Sequence, residues 1–185
     1  MGKIKRWHLP GVEAMVGSSI SRNLCSLRTL VSPRVQSACF STIWNRWCTP
    51  RRFQRRGSED NRCLLGCGGC AEDSIEHYAR CRAVRRTADS YLALGSTGTI
   101  DIEHFLLAAD VLRNNDDALV CIAVLIYATY TSTNTIRAKK NSVSHDSAFE
   151  MLKQNCRDAV MGHRGSSKVI DSRWFTGDRS RRRIA

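Results

Sequence analysis

The stretch Cys63-Leu-Leu-Gly-Cys67-Gly-Gly-Cys70-Ala-Glu-Asp-Ser-Ile-Glu-His77-Tyr-Ala-Arg-Cys81 gathers five potential metal ligands within nineteen positions. Zinc in structural sites prefers four tetrahedral thiolate and imidazole ligands, commonly two from a glycine-rich turn and two from a following helix. Cys63 and Cys67 frame such a turn. His77 and Cys81 are four residues apart, which places them on one face of a predicted helix. We therefore predict one structural zinc ion bound by Cys63, Cys67, His77 and Cys81.

Cys70 is an alternative ligand. It could replace Cys63, which would make a Cys-x2-Cys turn with Cys67, or it could replace Cys67, or it could be a spare thiol. The set with Cys63 and Cys67 is preferred, because Cys70 follows two glycines and would shorten the link to the helix. Four protein ligands leave no position for water or substrate, so the site is expected to stabilise the fold and the chain is expected not to be an enzyme. Five isolated cysteines are expected to be small core residues: Cys25, Cys39, Cys48, Cys121 and Cys156.

The predicted fold class is mainly α, with helical segments around a small zinc-bound turn-helix unit. Apolar residues recur at spacings of three and four through residues 11–47, with a break at Ser32-Pro33. The helix predicted over 118–137 is apolar nearly all round, which indicates a central position in the packing. The other predicted helices run from Ser74 to about Leu94, from Ile102 to Arg113 and from Val143 to Val160.

Changes in composition divide the chain into four segments. We predict a helical segment at residues 1–45, a zinc-binding unit at 46–94, a second helical segment at 95–162 and a mobile, disordered basic tail at 163–185. The tail is assigned because it has few large apolar residues and ends in Arg181-Arg-Arg183. A core is expected for the rest, since the composition is 42% hydrophobic.

The chain is strongly basic, with 29 Lys and Arg against 17 Asp and Glu, a net charge of +12. Such an excess favours polyanionic partners, because each phosphate that a cation neutralises releases condensed counterions. The aromatic residues among the arginines, Trp44, Trp47 and Phe53, are expected to be buried. The residues predicted to bind nucleic acid are Arg46, Arg51, Arg52, Arg55, Arg56, Arg62, Arg82, Arg85 and Arg86.

The sequence favours an intracellular location. The nine cysteines are odd in number and no secretory signal precedes them, so clustered thiols are better explained by metal than by disulfides. The longest apolar run, Ala118 to Tyr130, is too short to span a bilayer, and no membrane or small-molecule partner is expected. The nucleus is preferred over the cytoplasm because of the arginine run at 181–183.

One family resembles this chain over roughly residues 24–137. The sequence Trp44-Asn-Arg-Trp47-Cys-Thr49-Pro-Arg51-Arg-Phe53, followed by Cys63, Cys67, Ser74-Ile-Glu76-His77 and Cys81, is similar to the zinc-binding region at the C-terminal end of non-LTR (LINE-type) retrotransposon reverse transcriptases. A long apolar helix usually follows in that family, and Ala118–Asn134 looks similar. Tyr130 stands where a tryptophan is usual, and Thr133-Asn134 replaces an Arg-Asn ending.

The resemblance implies a detached piece of such a protein that binds RNA or an RNA–DNA junction. Residues 1–45 would then correspond to the connection from the polymerase thumb. The aromatic-x-Asp-Asp signature of the polymerase is missing, because Asp116-Asp117 follows Asn114-Asn115 at a predicted helix start, where capping is expected. Two alternatives stay open. The chain could be a zinc-stabilised protein-interaction module that docks through its apolar helices, or a non-functional remnant of a mobile element.

Overall fold

Helices dominate the part of the chain that the structure, a computed structural model, describes: residues 15–44, 46–47, 63–68, 75–92, 99–139 and 143–161. No strand occurs among these residues, so the predicted mainly α class is confirmed. The predicted tail at 163–185 lies outside them. The helices are α1 (Met15–Leu30), α2 (Pro33–Ile43), α3 (Ile75–Arg80), α4 (Arg82–Tyr91), α5 (Ile102–Phe105), α6 (Asp116–Lys139) and α7 (His145–Met161), with a short 3-10 helix at Asp110–Leu112.

The long helix α6 lies at the centre of the packing, as its all-round apolar sequence predicts. Every residue from 118 to 126 is buried, and α6 contacts α1, α2, α4, α5 and α7. Asn115 caps its start, since the side-chain oxygen accepts a hydrogen bond from the Ala118 amide at 3.0 Å. Thr129 is fully buried, and its hydroxyl donates to the Leu125 carbonyl at 2.8 Å, one turn earlier. The apolar surface of α6 is thus covered on all sides.

By length and composition alone, α6 is also the one helix in the described ranges that could cross a membrane. In this structure 72% of its most apolar window is buried inside the protein. The core helix of a soluble protein passes the same test of length and composition. The burial of α6 is therefore explained by the helices that surround it.

Helices α1 and α2 contact each other and are joined by Val31 and Ser32, where the Ser32-Pro33 break predicts a boundary. Pro33 occupies the first turn of α2, where its missing N–H leaves no donor unsatisfied. Both helices pack against α6, and their buried residues share one core with α3, α4 and α7. The pair therefore presents one side to the core and the opposite side to solvent.

The helix predicted from Ile102 to Arg113 is wrong as a single element. Helix α5 ends at Phe105, and the chain passes through Leu107 with a φ of 58° before the 3-10 helix begins. The prediction rested on Phe105, Leu106, Ala109 and Leu112, which would share one helical stripe. Leu107 lies off that stripe, yet it is fully buried. The left-handed turn brings this additional leucine into the core, which a continuous helix could not do.

The turn at Leu107 depends on a hydrogen bond from α1. The side-chain amide nitrogen of Asn23, itself 4% exposed, donates to the Leu107 carbonyl at 2.9 Å. We expect Asn23→Ala to lower the free energy of unfolding by about 1–3 kcal/mol, because the buried carbonyl would lose its donor. Urea denaturation measures the effect.

The matched control for Asn23 is Ser21→Ala, at an exposed position of the same helix. It should change the free energy of unfolding by no more than about 0.5 kcal/mol. Equal effects of the two substitutions would show that the buried hydrogen bond to Leu107 contributes nothing specific.

Candidate metal centre

The first half of the site is a tight turn at residues 63–68. The Gly66 amide donates to the Cys63 carbonyl at 3.0 Å, which brings the two ends of Cys63-Leu-Leu-Gly66 together. Gly66 and Gly68 adopt φ values of 62° and 64°, in the left-handed region that glycine tolerates best. Leu65 is fully buried and anchors the turn in the core. Cys63 and Cys67 are thus presented from a turn, as the sequence predicts.

The second half of the site comes from α3 and from Cys81, the single residue between α3 and α4. His77 lies on α3, but Cys81 has an extended backbone with φ −60° and ψ 134°. The expectation that His77 and Cys81 share one face of a continuous helix from Ser74 to Leu94 is therefore wrong. Cys81 occupies the cap position of α4, where its carbonyl accepts from the Arg85 amide at 2.9 Å. This break reorients the Cys81 side chain relative to α3.

The four predicted ligands come together in space. Their ligand atoms, three sulfurs and one imidazole nitrogen, all lie within 4.8 Å of one another. The Cys63 and Cys81 sulfurs are 3.8 Å apart, and the Cys67 sulfur is 3.4 Å from His77 Nε2. Metal–sulfur and metal–nitrogen bonds of about 2.3 and 2.0 Å set tetrahedral edges of about 3.8 Å for two sulfurs and about 3.5 Å for sulfur and nitrogen. Cys63, Cys67, His77 and Cys81 can therefore hold a metal ion.

The sulfur separations exclude a disulfide in this group, since a disulfide bond is about 2.05 Å long. A hydrogen bond with Cys81 and then burial raise the pKa of Cys63 to about 12. A divalent cation opposes both effects, because a coordinated thiol is deprotonated. The helix amino end at Cys81 also favours neighbouring negative charge. The donor set suits a cation that prefers sulfur and nitrogen.

An aromatic cluster ties the site to the core. The Tyr78 hydroxyl accepts from the Leu64 amide at 3.4 Å, and the Tyr78 ring lies 5.5 Å from the Trp47 ring, centroid to centroid. Trp47 is 2% exposed and also contacts Phe105 and Tyr130, with centroids 6.4 and 5.7 Å away. Its indole N–H is satisfied by the Thr42 hydroxyl at 2.8 Å. The predicted burial of Trp47 is confirmed, and the cluster joins the turn to α5 and α6.

The turn also contacts the start of α7, which sequence reasoning missed. A Cβ atom placed on Gly66 would collide with the Val143 carbonyl oxygen, and would lie 3.1 Å from the His145 amide nitrogen. Gly66 therefore serves two purposes, a left-handed turn and a close approach between backbones. A glycine at position 66 is a signal for a tight turn or a close backbone contact, but no sequence pattern indicates that the contact is with residues 143–145.

The isolated cysteines divide into two groups. Cys39, Cys121 and Cys156 are buried, as predicted, and burial raises the pKa of Cys39 to about 12 and also raises the pKa of Cys156. Cys25 is exposed, so its predicted core position is wrong. The reason is that Leu24 and Leu27, on either side of it in α1, take the inward positions. Cys48 and the alternative ligand Cys70 lie outside the described residues.

The predicted arginine surface is described only in part. Arg46, Arg82 and Arg85 are exposed. Arg86 is half exposed, but its guanidinium pairs with Asp146 at 2.9 Å and lies 4.2 Å from the centre of the Phe149 ring. Arg86 therefore links α4 to α7, a contact that no sequence motif signals. The remaining predicted residues lie outside the described ranges: Arg51, Arg52, Arg55, Arg56 and Arg62.

Trp44 is 47% exposed, so the prediction that it is buried is wrong. Helix α2 ends at Ile43, and Trp44 is its C-cap residue. The core position that a tryptophan could take here is filled by Trp47. Phe53, the third aromatic residue expected to be buried, lies outside the described residues.

Comparisons with family models, curated proteins and solved structures give no match to this chain.

The two glycines of the turn allow a matched test. We expect Gly68→Ala to lower the free energy of unfolding by about 1–2 kcal/mol, the cost of a left-handed backbone for alanine, because nothing lies near its added Cβ. Gly66→Ala should cost clearly more, because it adds a collision with backbone atoms of residues 143–145 that cannot rotate away. Thermal and urea unfolding of the metal-loaded protein measure both. Equal losses in the two variants would contradict the contact between the turn and α7.

Proposed function

We propose that the chain binds one structural zinc ion and uses the zinc-stabilised helical module to bind nucleic acid, preferentially RNA. Zinc is preferred over other cations because three thiolates and one imidazole within 4.8 Å of one another form a donor set typical of structural zinc. All four positions are filled by protein ligands, so the ion stabilises the fold and does not act on a substrate. The proposal accordingly includes no enzymatic activity.

Zinc has a specific structural task in this chain. The turn at 63–68 buries Leu65 fully, but Leu64, Gly66 and Cys67 are only half buried. Apolar contact alone therefore holds few residues of the turn. Zinc coordination in small units contributes on the order of 10 kcal/mol at neutral pH. Such a contribution would fix the turn to α3 and to Cys81.

The observation that supports nucleic-acid binding is the exposed basic side of α4, next to the metal centre. Arg82 and Arg85 follow Cys81 directly and are exposed, while Ala83, Val84, Thr87 and Ala88 face the core. Helix α4 thus holds two arginines on a rigid element fixed by the metal ligand at its start. Arginine forks bind phosphate in two-point contacts, which a backbone polyanion offers repeatedly. The net charge of +12 agrees with such a partner.

The preference for RNA, or for an RNA–DNA junction, rests on the resemblance to the zinc-binding region of retrotransposon reverse transcriptases. A nuclear or cytoplasmic location follows from the same proposal.

For the zinc site, we expect one zinc ion per purified chain by elemental analysis. Cys63→Ser and His77→Ala should lose the ion, because each removes one of four ligands, and the loss should lower the midpoint of thermal unfolding. Removal of zinc by a chelator from the wild type should lower it similarly. A folded chain that carries no zinc at neutral pH would contradict the site.

Two further cysteine variants sharpen the ligand assignment. Cys25→Ser is the matched control, since Cys25 is exposed on α1 and should not affect zinc content. Cys70→Ser tests the alternative ligand. Zinc retained in Cys70→Ser supports Cys63 and Cys67, whereas zinc lost in Cys70→Ser but retained in Cys67→Ser would assign Cys70 in place of Cys67.

For nucleic-acid binding, we expect affinity for RNA that falls steeply with salt. The double variant Arg82→Gln/Arg85→Gln should weaken binding and reduce the slope of log K against log salt by about 0.7 per arginine on single strands. Arg86→Gln is the control on the same helix, because its guanidinium is engaged by Asp146 and Phe149. Arg86→Gln should lower the free energy of unfolding, while it should change the slope of log K against log salt less than the double variant does. Fluorescence anisotropy over a salt series measures the slopes, and no binding at low salt would contradict the proposal.

A further inference from the structure

Two large aromatic side chains are exposed on the outer side of α2. Phe40 is 40% exposed and Trp44 is 47% exposed, and the two are four residues apart. The Trp44 amide donates to the Phe40 carbonyl at 3.0 Å, so helical geometry continues between them and both rings lie on one face. The opposite face of α2 is buried through Val35, Cys39 and Ile43. Phe40 and Trp44 therefore do not contribute to the core that covers α6.

The segment that carries these rings has charged side chains of one sign among its described residues. The described residues 15–47 include four arginines, all exposed, and no aspartate or glutamate: Arg22, Arg28, Arg34 and Arg46. By contrast, the described residues of 99–161 carry eight acidic and five basic side chains. Both α1 and α2 pack their inner sides against α6, so the arginines and the two rings lie on outward-facing sides. This surface complements a polyanion.

We propose that Phe40 and Trp44 form a stacking platform for unpaired bases of a single-stranded nucleic acid, with the arginines of residues 15–47 contacting its phosphates. The inference rests on the proposed function and specifies its substrate class. Exposed aromatic rings stack on the faces of splayed bases, whereas paired bases in a duplex are already stacked on each other. A rise of about 6 Å separates the two ring positions along α2, a spacing that lets each ring take its own base.

The size of the surface favours a single strand over a protein partner. Stable protein interfaces bury about 800 Å² on each side and have an apolar centre. The outer face of α2 offers two rings, and its other exposed members are Pro33, Arg34 and Ser37. These five exposed positions are far fewer than the roughly 20–30 residues a side of a stable protein interface. A single strand needs only stacking surfaces and phosphate contacts spaced along its length.

The test uses the full zinc-loaded chain and a labelled oligouridylate, with binding followed by fluorescence anisotropy over a salt series. Trp44→Ala should raise the Kd about 5-fold or more, because the loss of one stacked base has an effect of this size or larger. The slope of log K against log salt should stay unchanged, since no charge is removed. Trp44→Phe should restore most of the affinity, and Phe40→Ala should weaken binding as well.

Val111→Ala is the matched control, since Val111 is 37% exposed on the 3-10 helix, away from α2. Zinc content and far-UV circular dichroism verify that each variant is folded. Duplex RNA of the same length should bind with an affinity that Trp44→Ala leaves unchanged. An equal loss on duplex and single strand would overturn the stacking role.

The remaining outcomes separate this inference from the proposed function. If the wild type binds RNA with a steep salt dependence but Trp44→Ala and Phe40→Ala behave like Val111→Ala, the platform is wrong and the proposed function stands. If the wild type binds neither oligouridylate nor duplex RNA at low salt, both are wrong. A purified protein partner that loses affinity in Trp44→Ala, while oligouridylate affinity does not change, would assign the face to protein and overturn the inference.

Discussion

The burial of α6 is the constraint on which the rest of the structure depends. Its residues from 118 to 126 are buried without interruption, so no side of this part of the helix tolerates water. Full burial of a leucine, isoleucine or valine side chain contributes about 1.5–3 kcal/mol, and this stretch holds six of them. Helices from before and after α6 must therefore surround it. That requirement brings α1, α2, α4 and α7, which are far apart in the sequence, into one core.

The candidate metal centre is attached to this core through a small number of contacts. Trp47 and Tyr78 connect the turn at 63–68 to α5 and α6, and Gly66 lies against the start of α7. These contacts place the turn but do not enclose it, since Cys67 and His77 remain half buried. Coordination of a metal ion by these four residues would supply the missing constraint, because it would join the turn to α3 and to the start of α4. Core packing and the proposed metal binding thus act on different parts of one unit.

Local sequence patterns predict most helices and the ligand residues. They fail where contacts with residues far away in the sequence determine the backbone conformation. Helices α1, α2, α6 and α7 follow from apolar periodicity, and the α1–α2 break follows from Ser32-Pro33. The four ligands follow from residue type and spacing. No proline or glycine lies at the helix breaks at Cys81 and Leu107, so the local sequence does not predict them. Cys81 adopts its extended backbone next to Cys63, eighteen positions earlier, and Leu107 turns where Asn23 of α1 satisfies its carbonyl.

The exposure of Trp44 is another feature that the sequence predicts wrongly, and it bears on the proposed function. Hydrophobicity predicts burial for both Trp44 and Trp47, and only one of them can fill the space beside Tyr78 and Tyr130. Trp47 takes that space and finds a partner for its indole N–H in Thr42. Trp44 stays 47% exposed, and the described residues of 15–47 carry four arginines and no acidic side chain, which together motivate the stacking platform proposed above. The core, against which α2 packs, holds this surface in place.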